Sequence, residues 1–191
     1  KVYLPVLVCS VLAMLPLIIQ AERKGHVRAV FLFAIALLML AELGLYFLPV
    51  TVAGVVVLLV VMFTAFNLLE AMLPSLVSRV APVDCRGTAM GFYSSSQFLG
   101  TFLGGMVGGV LQGMFGLHVI FLFAALGALV WWLLATAMKP PAKLGSYRYK
   151  IAATAPADTE QLTRQLAGLA GVAEVVVVAE EGVAYLKVDK K

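Results

Sequence analysis

VAGVVVLLVVMFTAFNLLEAMLPSLVSRV, running from Val52 to Val80, decides how this chain folds. From Val52 to Leu69 no side chain is charged, and Glu70 is the only ionisable group before Arg79. At about 1.5 Å per residue the run is longer than the roughly 30 Å of hydrocarbon in a bilayer. It is therefore a membrane span that must tilt, bend or project beyond the membrane. Four further runs have spanning length, near 2–21, 27–48, 87–112 and 117–138. The breaks between them are short: Glu22 to His26, Pro49 to Thr51, Ala81 to Arg86 and Gly113 to Gly116. Short connections make neighbours antiparallel, so residues 1–138 are expected to form an all-α membrane bundle of five helices.

Composition supports this division. The 191 residues are 62% hydrophobic and 13% charged, with a mean hydropathy of +1.02. An average soluble domain carries about twice that charge. Residues 1–142 hold 7 Lys/Arg and 4 Asp/Glu, whereas the last 49 positions hold 7 and 6. A single soluble globule, a disordered chain and a disulfide scaffold are excluded. Cys9 and Cys85 have no metal-ligand spacing, and a disulfide between them is not expected. The chain opens Lys1-Val2-Tyr3, without an initiator Met, straight into a span. Further spans follow it, so this run is no signal peptide. Sequence is expected to be missing at both ends.

Basic residues set the orientation. Arg23, Lys24 and Arg28 flank the first break, Arg79 and Arg86 the third, and Lys139 and Lys143 follow the fifth span. The connections at 49–53 and 113–118 carry none. By the positive-inside rule the chain starts outside and its tail lies in the cytoplasm. The net charge of +4 is thus a matter of membrane orientation, not nucleic-acid binding.

After a proline-stiffened linker over 139–145 the period changes. Tyr147 to Ile151 alternates as a strand, and Ala157 to Gly168 reads as an amphipathic helix with Leu162, Leu166 and Leu169 on one side. Asp158 or Thr159 is its expected N-cap, and Gly168 or Gly171 its stop. Val172 to Ala179 and Val183 to Val188 are strands joined by a turn at Glu180-Glu181-Gly182. The order βαββ over 146–191 matches part of a ferredoxin-like α+β domain.

Three features in the spans could carry chemistry. Asn67, Glu70 and Pro74 stand at i, i+3 and i+7 of the third span and share a face. Pro74 has no N–H, which frees the Glu70 carbonyl. Glu70 lies nine residues before Arg79, roughly 13 Å inside the boundary. A charged carboxylate at that depth costs on the order of 2.5 kcal/mol or more. It is either a protonation or substrate site, or a neutral carboxyl hydrogen-bonded between helices. In the fourth span Tyr93, Gln97 and Thr101 align at i+4 beside Ser94, Ser95 and Ser96, facing a cavity or bonding back to their own helix. Gly100, Gly104, Gly105, Gly108 and Gly109 follow, at a spacing that opens a groove for a neighbouring helix. Glu42, in the second span, is expected to make a structural bond between helices. His26 and His118 read as surface residues at helix ends, and Trp131-Trp132 as packing or lipid-facing. No HExxH, Ser/His pair or acid pair at catalytic spacing falls in the spans, so no enzyme, metal or cofactor is expected.

The stretches Asn67-Leu68-Leu69-Glu70-Ala71-Met72-Leu73-Pro74-Ser75-Leu76 and Arg86-Gly87-Thr88-Ala89-Met90-Gly91-Phe92-Tyr93-Ser94-Ser95-Ser96-Gln97-Phe98-Leu99-Gly100 resemble the C-terminal half of a major facilitator superfamily transporter. The chain is most similar to the YajR type, drug efflux antiporters driven by protons and carrying a ferredoxin-like cytoplasmic tail. The resemblance covers essentially the whole chain and makes the five spans helices eight to twelve of twelve. It implies that Glu70, Asn67, Tyr93 and Gln97 face a central cavity and Glu42 the periphery. Gly100 to Gly109 is similar to the superfamily's GxxxGPxxGG motif, with Gly105 in place of proline. Glu22, Arg23 and Gly25 keep the acid, arginine and glycine of its GxxxDRxGRR loop, with Ile18 where the first Gly would stand. The first β–α loop of the tail, Ala152 to Asp158, lacks the CxxC of soft-metal domains.

Residues and resemblance together point to a fragment of a secondary transporter that exports small hydrophobic or drug-like molecules against protons by alternating access. Its expected partners are membrane lipids, a small-molecule substrate, protons and a missing N-terminal half, with no nucleic acid. A membrane-anchored regulatory or sensor protein displaying the tail is the alternative from another class. A facilitator or importer of the same superfamily is the nearer one.

Overall fold

In a computed structural model of the chain, residues 3–47, 51–82, 84–138, 144–150, 156–169, 172–178 and 182–189 are described. Five long helices come first: α1 (Tyr3–Lys24), α2 (Val27–Phe47), α3 (Val52–Val80), α4 (Arg86–Phe115) and α5 (Leu117–Thr136). Each is long and apolar enough to cross a membrane. Glycine makes two of the joints: Gly25 (φ 67°) and Gly116 (φ 85°) take the left-handed backbone that lets one helix end and the next begin almost at once. The tail then forms β1 (Leu144–Lys150), α6 (Pro156–Ala167), β2 (Val172–Val178) and β3 (Val183–Asp189).

The chain divides into two compact units, Lys1–Val77 with Met90–Pro140, and Ser78–Ala89 with Pro141–Lys191. In the first, one apolar cluster draws on α1, α2, α3 and α5, with Ala34, Ile35 and Leu68 fully enclosed. α2 and α5 make the most extensive helix pairing. Small residues allow it: Ala34 on α2, and Ala125, Ala128 and Ala135 on α5, are all buried. Phe31 meets the Trp131 ring edge to face, with centroids 5.8 Å apart. On the other side of α2, Gly44 lets Leu58 of α3 approach so closely that an added Cβ would stand 2.7 Å from its Cδ2. Large apolar side chains such as Leu4, Leu40, Val57, Phe98 and Leu134 remain exposed, as in a surface that faces lipid. α4 buries no residue at all.

The tail sheet has the order β1-β3-β2, antiparallel throughout. Tyr147 of β1 and Val175 of β2 flank Leu186 and its strand neighbours in register, and α6 packs on β2. Val183, Ala184 and Leu186 are buried, and Leu162 and Leu166 are half-buried. Three sequence expectations need adjusting. β1 begins at Leu144, so the last two residues of the expected linker are strand. α6 begins at Pro156, whose fixed φ and missing N–H suit a first helical position, so Asp158 and Thr159 lie inside the first turn rather than capping it. Leu169 lies beyond the helix end and is exposed, because Gly168 stops α6 one residue earlier. The expected turn at Glu180-Glu181 and the first β–α loop at 152–155 lie outside the described residues.

Candidate functional site

α3 carries its polar groups in the middle of an apolar sequence, and two of them reach other helices. Asn67 Nδ2 donates to Ser10 Oγ of α1 at 3.2 Å. Ser10 is fully buried and its hydroxyl donates to the Leu7 carbonyl at 2.8 Å, so it serves as a relay between α3 and the α1 backbone. One turn on, Gln97 Nε2 of α4 donates to Glu70 Oε1 at 3.0 Å. Glu70 and Gln97 are exposed within the chain, whereas Asn67 is half-buried. Asn67 and Glu70 thus share a stripe of α3 but serve opposite neighbours. An amide N–H can donate to a carboxylate or to the carbonyl oxygen of a carboxylic acid, so the Glu70–Gln97 pair suits either protonation state.

Pro74 stands four residues beyond Glu70 inside α3, half-buried, where it removes one backbone donor from the helix. Tyr93 lies one turn before Gln97 and is half-buried. The other polar side chains of this region bond back to their own helices: Ser96 to the Phe92 carbonyl (2.9 Å), Thr101 to that of Gln97 (2.9 Å) and Thr64 to that of Val60 (2.7 Å). Thr101 therefore aligns with Gln97 without joining its contact to Glu70.

Two of the expected helix contacts are not made among the described residues. Glu42 is half-buried and makes no bond between helices among the described residues. The groove at Gly100, Gly104, Gly105, Gly108 and Gly109 is not filled by a helix of this chain: a Cβ added at any of them would meet nothing within 4 Å. Glu22 and Arg23 are exposed at the end of α1, and Gly25 makes the turn. Glu22 also borders a small cleft lined by Ile18, Val27, Met72 and Ser75. Ser10 escaped the sequence reading. Its signal was a lone hydroxyl between Cys9 and Val11 in an apolar run. Among the described residues no three His, Cys, Asp or Glu side chains gather as metal ligands would.

α3 thus makes two polar contacts to other helices from the middle of a five-span bundle. The family model of the Major Facilitator Superfamily matches residues 4–174. The chain belongs to the major facilitator superfamily. Superfamily members are as a rule transport proteins rather than enzymes. Over all of its 191 residues the chain is 41% identical to the inner membrane transport protein YajR of Escherichia coli K12, of which it covers 42%. It is 34% identical over 73 residues to an uncharacterized transporter of Buchnera aphidicola subsp. Baizongia pistaciae, and 39% over 69 residues to one from subsp. Schizaphis graminum, covering 18% of each. The chain thus spans less than half the length of these superfamily relatives.

Proposed function

We propose that this chain is part of a secondary transporter of the bacterial inner membrane that exports small hydrophobic or drug-like molecules in exchange for protons. The observation that carries the reading is the Glu70–Gln97 hydrogen bond of 3.0 Å, which ties the one carboxyl of α3 to α4 on a face the rest of the chain leaves open. In the proposed transporter that face looks into a central cavity, completed by an N-terminal half that also covers the glycine row of α4. Glu70 takes up and releases the coupling proton. Asn67, Tyr93 and Gln97 line the path, and Pro74 with the α4 glycines lets the helices shift. The similarity to YajR supports inner-membrane transport, since that relative is so described. The basic helix ends support a cytoplasmic tail, and the antiparallel β1-β3-β2 order with one helix is compatible with a ferredoxin-like domain.

Proton-driven dye uptake into everted vesicles containing the full-length protein, the equivalent of efflux from cells, tests this. Glu70→Gln keeps the hydrogen-bonding shape and removes the titration, so it is expected to insert normally and lose proton-driven efflux. Glu42→Gln should keep most of it. Wild-type rates and pH dependence in both variants would make Glu70 a structural carboxyl.

A further inference from the structure

Among the described residues, the basic end of α2 carries a guanidinium with no carboxylate partner. Arg28 lies in the first turn of α2 and donates from Nη2 to the carbonyl of Thr136, the last residue of α5. Its Nε is shut away from solvent with no hydrogen-bond acceptor. No carboxylate pairs with it among the described residues. α5 contains no acidic residue and the first on α2 is Glu42, about four turns away, while Glu22, exposed, lies six residues earlier at the end of α1. What Arg28 does receive is the carbonyl end of a 20-residue helix, a partial negative charge of about one half at most. With one Nη2 donor on a neutral carbonyl and Nε enclosed, the half-buried guanidinium keeps its remaining Nη donors for an anion.

Its surroundings indicate which anion. Thr136 ends a membrane-spanning helix, so the guanidinium sits at the level where hydrocarbon gives way to headgroups. Trp131 and Trp132 lie one turn before Thr136, both half-buried, and Trp131 is braced against Phe31, three residues after Arg28. Tryptophan favours that boundary layer. Arg23 and His26, both exposed, flank the same turn and add positive potential. A lipid phosphate is held at that depth by the bilayer itself, which a soluble anion is not.

We propose that Arg28, at the junction of the α2 start and the α5 end, binds the phosphodiester of an anionic phospholipid. The lipid completes the charge of the α2–α5 pair and fixes the point from which the chain leaves the membrane toward the tail. The proposal rests on the orientation argued above only in naming the cytoplasmic leaflet. Its test reads lipid binding and not transport, so either can fail without the other.

Native mass spectrometry of the full-length protein, with phosphatidylglycerol and phosphatidylcholine offered in turn, decides the matter. Wild type should hold phosphatidylglycerol several-fold more tightly than phosphatidylcholine. Arg28→Gln should weaken phosphatidylglycerol roughly tenfold, the scale of one charge-assisted hydrogen bond, and Arg28→Lys should restore part of it. Arg23→Gln, a change at an exposed residue of the same turn, should cost less than Arg28→Gln. Thermal shift with inorganic phosphate separates the two sources of the anion: no rise in midpoint is expected, and a rise equal to that given by the lipid would overturn the lipid assignment. If Arg28→Gln fails to fold, the wild-type comparison still decides, because equal retention of both lipids overturns the site. Unchanged phosphatidylglycerol binding in a folded Arg28→Gln overturns it as well.

Discussion

Asn67 and Glu70 stand three residues apart on α3, yet each bonds to a different helix, at Ser10 of α1 and Gln97 of α4. The 3.6-residue period places them on one stripe, and α1 and α4 lie on either side of it. Removing the Ser10 hydroxyl leaves the Asn67 amide without its acceptor. Ser10→Ala is therefore expected to destabilise the bundle by about 1 kcal/mol, and a double-mutant cycle with Asn67→Ala should show a coupling near ~0.6 kcal/mol, as is common for hydrogen bonds between membrane helices. Unfolding in bicelles measures both, and additive effects would mean the 3.2 Å contact contributes nothing. The carboxyl of Glu70 was legible in the sequence because acids are rare at that depth. Ser10 was not, since a serine in a span usually bonds to its own backbone and only the neighbouring helix reveals a second role. Glu42 shows the converse: its depth was legible, but that no side chain of a neighbouring helix bonds to it among the described residues was not.

At the scale of elements, α4 differs from the other four spans. It has the lowest hydropathy of the five and buries nothing, while its glycines face open space. Helices in a bilayer gain little from apolar burial, so a row of glycines is useful when another backbone comes close to it. Gly104→Leu should leave insertion and folding of α1 to α5 unchanged and abolish transport by the full-length protein, which expression level and efflux report together. Gly44 makes the opposite prediction. There α2 and α3 already touch, and Gly44→Val should cost about 1–3 kcal/mol by overpacking against Leu58, measured as a fall in unfolding midpoint. In the tail, Val183, Ala184 and Leu186 form the centre of the sheet without a metal cluster among the described residues. Chelator is expected to leave amide-exchange protection of β3 unchanged, and a large loss of protection would reveal a bound ion. The five long apolar helices and the βαββ order could be read from hydropathy and period. The start of α6 could not, because Pro156 and Asp158 both signal helix beginnings and only the backbone chose between them.

For the whole molecule, alternating basic ends predict how the five spans thread the membrane. With Cys9 and Cys85 replaced by alanine, a cysteine at Thr51 should react with an impermeant reagent in intact cells and one at Arg23 should not. The reverse pattern would invert the topology. Everything in that expectation is one-dimensional. Length and hydropathy set the number of spans, charge sets their direction, and the spacing of turn residues sets the tail's order, because each is a property of a segment interacting with water or lipid. Partners between segments are another matter. In hydrocarbon an apolar surface gains nothing by choosing one apolar neighbour over another, so the sequence alone did not say that α2 would pair with α5, that Ser10 would meet Asn67, or that Arg28 would reach Thr136. Close packing of small residues and a few hydrogen bonds made those choices, and both exist only when two helices stand side by side.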